Sequence, residues 1–158
     1  MPRAPAKKCT LRNESFKMIG MVIVTHGTLA NALRDAMEHV VGKQNDVATV
    51  CIESDAEFES QRAEIATRMN EVNSGDGVIL LTDMFGGTPS NLAMSMLDKP
   101  GVEIIGGVNL PMLVKLAKIR GTQALAEAVQ CAENAGRKYI CSGHEIQHPA
   151  AATPRAAE

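Results

Sequence analysis

Two apolar runs in this chain stop at side chains equipped for nucleophilic or acid–base chemistry. Residues 22–27 read VIVTHG, so His26 stands where an aliphatic run ends, and residues 78–83 read VILLTD, which places Asp83 at the same kind of ending. A third run, 102–108, is followed by Asn109. A neutral imidazole attacks through the ring nitrogen that lacks a proton, while a carboxylate can hold the proton on the other. Directly after Asp83 comes MFGGTPSN, residues 84–91. Gly86 and Gly87 allow backbone to approach a ligand, and the amides around Thr88, Ser90 and Asn91 would open a helix and favour an anion. Taken singly, each group has an ordinary role: Asp83 as a loop cap, Asn109 as the cap of a helix beginning near Pro111. Taken together, histidine, carboxylate and anion cradle point to phosphate handling, with an imidazole nitrogen attacking phosphorus.

Such distant residues can meet only if the fold collects the ends of their strands. Five apolar segments read as strands: 18–24, 47–52, 77–82, 102–108 and 138–143. The first four are continuous rather than alternating, as parallel strands buried on both faces must be. Helical spacing fills the intervals. Leu29, Leu33, Ala36, Met37 and Val40 form one stripe closed by Gly42. Phe58, Ile65, Met69 and Val72 form another, with Asp55 as a candidate N-cap. Further helices run on from Pro89, from Pro111, and from Thr122 to a terminator at Gly136. The pattern predicts a three-layer α/β/α fold with a mostly parallel four-stranded central sheet and a fifth, C-terminal edge strand at 138–143. In such sheets reactive groups gather at the carboxyl ends of the strands, where the strand order reverses. Residues 1–17 read as a flexible basic extension, 18–143 as the phosphotransfer domain, and the Ala- and Pro-rich 144–158 as a disordered tail.

Composition removes several function classes. The chain has 158 residues, 45% of them apolar, enough for one core. Aromatic residues are only 3%, too few for base-stacking platforms, and a formal charge of -2 gives no general pull toward nucleic acid or acidic membranes. No apolar run reaches the roughly 20 residues that span a bilayer. Cys9, Cys51, Cys131 and Cys141 are scattered, which suggests reduced thiols in a cytoplasmic protein, Cys51 being a buried small hydrophobe. His39 reads as a helix C-terminal cation, and His144 and His148 fall in the tail. The cysteines form no ligand-like cluster, His144 and His148 offer only a weak metal site, and no cofactor motif is present, the dinucleotide and P-loop glycine patterns included.

The segments MVIVTHG, VILLTDMFGGTPSN and IIGGVNLPML resemble, in order and spacing, the enzyme IIA component of the mannose class of the bacterial sugar phosphotransferase system. The resemblance covers roughly residues 18–135. It implies a phosphotransferase that takes a phosphoryl group from the phosphocarrier HPr onto a histidine and passes it to an enzyme IIB domain, without a cofactor or metal. By motif, His26 corresponds to the phosphorylated histidine and Asp83 to the aspartate that hydrogen-bonds it. Gly27 and the loop of Phe85, Gly86, Gly87, Thr88, Ser90 and Asn91 correspond to the phosphate side. A homodimer is also implied, in some members with a C-terminal strand exchanged between subunits, for which 138–143 is the candidate. The related domain of the dihydroxyacetone kinase phosphotransfer subunit shares much of this, but GGTPSN and GVNLPML favour the mannose class.

Rival readings differ in chemistry. A receiver-like domain would be phosphorylated on Asp83, yet Thr25 and His26 stand where its acidic magnesium ligands belong. A histidine phosphatase or mutase would need an arginine beside THG. A regulatory binding protein would use phosphate on His26 to switch an interface without onward transfer.

Overall fold

The computed structural model describes residues 17–149. Four strands form one all-parallel sheet: β1 Gly20–His26, β2 Val47–Ile52, β3 Val78–Thr82 and β4 Val102–Ile105, in spatial order β2-β1-β3-β4. The helices are α1 Leu29–Val41, α2 Phe58–Val72, α3 Thr88–Met94, α4 Leu110–Ile119, α5 Leu125–Lys138 and α6 Gly143–Gln147. The predicted α/β class and central sheet are therefore present.

The two-residue period of the strands sorts their side chains into two cores. Met21, Ile23, Ile79 and Leu81 face a layer that includes Met37 of α1, Leu113 and Leu116 of α4, and Ala128 and Ala132 of α5. Val22, Val24, Val78 and Leu80 face the other layer, with Ile65 and Met69 of α2 and Leu92 of α3. This partition follows from handedness. The step from β1 to β2 moves one way along the sheet; the step from β2 to β3 reverses, passing β1 to its other side. Right-handed crossovers in opposite directions must put α1 and α2 on opposite faces. The reversal opens a crevice between the carboxyl ends of β1 and β3, and those ends are His26 and the residue before Asp83.

Several local expectations change. The fifth strand at 138–143 does not form among the described residues: α5 runs through Lys138, residues 139–142 are irregular, and α6 starts at Gly143. Part of the predicted tail is thus ordered, because Ser142 and Glu145 form a reciprocal capping box, with N–H···O distances of 2.9 and 3.1 Å. Gly136 does not terminate α5. It is a buried point of close approach, where a Cβ would stand 2.9 Å from the end of Met112 and 3.4 Å from the Asn109 amide. Asp55 does not cap α2, whose N-cap is Glu57 without a side-chain bond. The inner stripes also differ: Leu29, Val40 and Phe58 are exposed, while Ala30 and Gln61 take inward positions. Cys51 is half-buried rather than buried. Cys9, the extension up to residue 16, and the tail from residue 150 lie outside the described residues.

Candidate active site

The parallel register pairs Val24 with Thr82, so the next residues of the two strands emerge side by side at the crevice. His26 is the last residue of β1, with half its side chain open to solvent (51%), whereas the Asp83 side chain is only 14% exposed. The carboxylate fastens the histidine twice. Asp83 Oδ2 accepts the His26 backbone N–H at 3.0 Å and lies 2.8 Å from the ring Nδ1. Its other oxygen accepts the Met84 amide at 2.9 Å. Partial burial pushes the Asp83 pKa up, but the bonds from the His26 ring, the His26 amide and the Met84 amide outweigh it, and the carboxyl is held below its ordinary range. An ionised Asp83 on Nδ1 favours the tautomer whose free lone pair is on Nε2.

The glycine turn stands on the Nε2 side. A Cβ on Gly87 would lie 2.7 Å from His26 Cε1 and 2.9 Å from Nε2, so only a bare Cα fits against that ring edge. Gly86 has φ +94°, a conformation that side-chain-bearing residues rarely adopt. Thr88 and Pro89 then begin α3. The amides of Gly87 and Thr88 have no protein partner among the described residues, and they are free to donate to an oxyanion. His26, Gly27 and Thr88 line an open cleft of about 630 Å³ with Ile52, Glu53, Ser54, Asp55, Ala56 and Gln61.

Not every predicted residue points into this cleft. Phe85 turns the other way, its ring lying over Gly106, where a Cβ would collide with it. It lines a groove beside β4 together with Ile104, Asn109, Arg137 and Ile140. Ser90 is buried, with its hydroxyl bonded inside the turn to Gly86 and Gly87. Asn91 is exposed and gives its backbone N–H to the Gly87 carbonyl at 3.0 Å. Asn109 is a helix cap: its side chain accepts from Met112 N at 3.1 Å and donates to the Gly136 carbonyl at 3.1 Å. Sequence reasoning missed the opposite wall of the cleft. Gln61 is buried there and donates from Nε2 to the Glu53 carbonyl at 3.0 Å, bracing the β2–α2 loop. Its place in the polar stretch ESQRAE gives no signal of burial. The role of Gly106 as a seat for Phe85 was equally invisible.

Residues 20–133 match the family model described as PTS system fructose IIA component. The chain is 31% identical over 147 residues to the PTS system mannose-specific EIIAB component of Escherichia coli, covering 88% of this chain and 46% of that protein. It thus spans less than half the length of that relative. It is 25% identical over 130 residues to the PTS system fructose-specific EIIA component of Bacillus subtilis, covering 80% of this chain and 89% of that one. Among solved structures, the PTS IIA protein associated with the fucose utilization operon from Streptococcus pneumoniae superposes with a TM-score of 0.73 at 26% identity, over 82% of this chain and 96% of that chain. By sequence, by fold and by the motifs around its crevice, the chain belongs to the mannose-class enzyme IIA family of the sugar phosphotransferase system.

Proposed function

We propose that this chain is a cytoplasmic phosphocarrier in which His26 accepts a phosphoryl group from phospho-HPr and passes it to an enzyme IIB domain. The observation that carries this reading is the 2.8 Å contact between His26 Nδ1 and Asp83 Oδ2, with the Nε2 edge of the ring facing the Gly86–Gly87 turn. In the proposed step the Nε2 lone pair forms a bond to phosphorus as the bond from phosphorus to the donor's histidine nitrogen breaks, and the leaving imidazole departs with that electron pair. The Nδ1 proton stays in the bond to Asp83, which balances the positive charge arising on the ring. In this reading the Gly87 and Thr88 amides and the Thr88 hydroxyl would meet the phosphoryl oxygens, which the absence of a protein partner for those amides among the described residues supports. Transfer of this kind demands positioning and charge stabilisation above all.

The cleft wall also favours transfer from a carrier over capture of free phosphate. Among the described residues no Lys or Arg lines it, and Glu53 and Asp55 do. An anion diffusing alone would meet repulsion, whereas a group delivered on a docked protein is carried past it. A homodimer belongs to the same reading: β4 pairs only with β3 among the described residues, and Tyr139, Ile140 and Ile146 stand exposed beyond α5.

Incubation with enzyme I, HPr and phosphoenolpyruvate should label the protein with an acid-labile, alkali-stable phosphate, and His26→Ala should take up none. A label that survives acid, or full labelling of His26→Ala, would overturn the assignment. Alkali-labile phosphate lost in Asp83→Asn would instead support the receiver-like reading.

A further inference from the structure

Ser90 lies in the first turn of α3, is 1% exposed, and uses its hydroxyl in both directions. Its oxygen accepts the Gly86 N–H at 3.0 Å, and its O–H donates to the Gly87 carbonyl at 2.8 Å. The Asn91 N–H also binds that carbonyl, at 3.0 Å, so Gly87 is held from two places on α3. Gly87 is in turn the residue whose Cα abuts the Cε1–Nε2 edge of His26. A hydroxyl has a single proton to donate. With that proton committed to Gly87, only a lone pair would face a phosphoryl oxygen, and that contact is repulsive. Direct phosphate binding by Ser90 is therefore at odds with its geometry.

We propose that Ser90 is a positioning residue for phosphoryl transfer, acting through the Gly86–Gly87 turn on His26 without touching the phosphoryl group. It fixes the turn before any phosphate arrives, so that Gly87 already stands against the Cε1–Nε2 edge of the ring. The backbone of Gly86 holds φ at +94°, a conformation open to glycine, and the Ser90 hydroxyl closes the one side-chain bond to its amide. Loss of that bond releases the turn while leaving the His26–Asp83 contact untouched. This inference rests on the phosphocarrier reading and extends it to a residue on a different element from the nucleophile.

The test compares wild type, Ser90→Ala and Ser90→Thr, each first shown folded by a thermal melt. With phospho-HPr as substrate, Ser90→Ala should lower kcat by roughly ten- to a hundredfold, the usual effect of a small misplacement of a reacting geometry. KM for phospho-HPr should not move, since the docking surface is intact. Ser90→Thr, which keeps the hydroxyl, should recover most of the rate; if its extra methyl is not accommodated, Ser90→Cys should fall between Ala and Ser. In parallel, NMR of the unphosphorylated proteins should show the Gly86 and Gly87 amides and the His26 ring nitrogens shifted in Ser90→Ala. A wild-type kcat in Ser90→Ala, unmoved Gly87 and His26 resonances, or a change confined to KM would each overturn the proposal. Should wild type take no label at all, the phosphocarrier reading fails, and the resonance comparison still decides whether Ser90 holds Gly87 against His26.

Discussion

At the scale of single residues, the site works by setting one acid against its own burial. Asp83 loses solvent, which would favour its neutral form, but it gains three N–H donors that favour the anion. Its folded pKa is depressed below the ordinary value of 3.8. The bonds it makes therefore add to stability fully above that value, and the contribution is lost as pH falls through the depressed pKa. Acid unfolding of Asp83→Asn should accordingly be less steep than wild type below about pH 4, read by far-UV circular dichroism against pH. At neutral pH the same variant should remain folded yet transfer phosphate about 10²–10⁴-fold more slowly, the span typical of groups that hold a proton in a transition state. An unchanged transfer rate would take Asp83 out of the mechanism. Gly87 offers an even cleaner separation of fold from function. Its φ of −102° suits any residue, so Gly87→Ala strains no backbone, but the added methyl would reach the His26 ring. Transfer should drop at least tenfold with little change in melting temperature. His26 and Asp83 were legible because each interrupts an aliphatic run. The distinct duties inside GGTPSN were not, since residue type alone does not tell a residue that lines the cleft (Thr88) from one whose hydroxyl is bonded within the turn (Ser90).

The elements depend on contacts that sequence patterning hides. Arg120, following α4, is wholly buried at the opposite end of the sheet from the site. Its guanidinium donates to the Ile19 carbonyl at 3.0 Å, to Asp46 O at 3.3 Å, to Gln44 Oε1 at 3.1 Å and to Asn45 O, tying the starts of β1 and β2 to α4. Arg120→Met would leave the Ile19 and Asn45 carbonyls without this donor. At about 1–3 kcal/mol for each buried group left unpaired, urea unfolding should show a loss of roughly 2–5 kcal/mol. Arg120→Lys should recover only part, because an ammonium lacks the planar fork that reaches several carbonyls. Glu38 on α1 plays a smaller part of the same kind. The Lys43 ammonium at 2.8 Å and the Gln44 amide at 3.2 Å lower its pKa to about 2 against the effect of burial, with Arg34 helping. Because the folded value is the depressed one, its stabilising effect is present above its ordinary value of 4.5 and fades as pH drops toward 2. Wild type and Glu38→Gln should differ in melting temperature at pH 7 and converge near pH 2. Strands were the readable elements, since parallel strands buried on both faces are bare aliphatic runs. Helix ends were less so: Gly42 does close α1, at φ +84°, while Gly136 looks identical in sequence and lies inside α5 for steric reasons.

At the scale of the molecule, strand order is what turns two polar punctuation marks into a site. Sequence spacing predicted alternating strands and helices, but only the order β2-β1-β3-β4 makes the ends of β1 and β3 neighbours. The fifth strand shows the limit of that reasoning. An apolar cluster such as Tyr139, Ile140 and Cys141 signals burial somewhere, without saying against which chain. In the single chain it stays largely open: Tyr139 is 67% and Ile140 66% exposed, and the outer edge of β4 has no partner strand among the described residues. The groove beside that edge is lined by Phe85, Ile104, Ile105, Met112 and Ile140, with Asn109, Glu133 and Arg137 also lining it, so apolar side chains there adjoin the exposed segment. Free ladder groups next to apolar side chains invite pairing with another chain, and in the proposed homodimer a second copy would bring the same segment to the same edge in a closed two-fold arrangement. Light scattering should therefore give a dimer mass for the full chain, and deletion from Tyr139 onward should yield a monomer that His26 labelling still marks. A monomeric full chain would remove the dimer from the proposed function without touching the phosphoacceptor. A truncated protein that stays dimeric would move the interface away from β4. Loss of labelling on truncation would show that the groove under Phe85, on the far side of the turn that holds Gly87, shapes the site as well as the assembly.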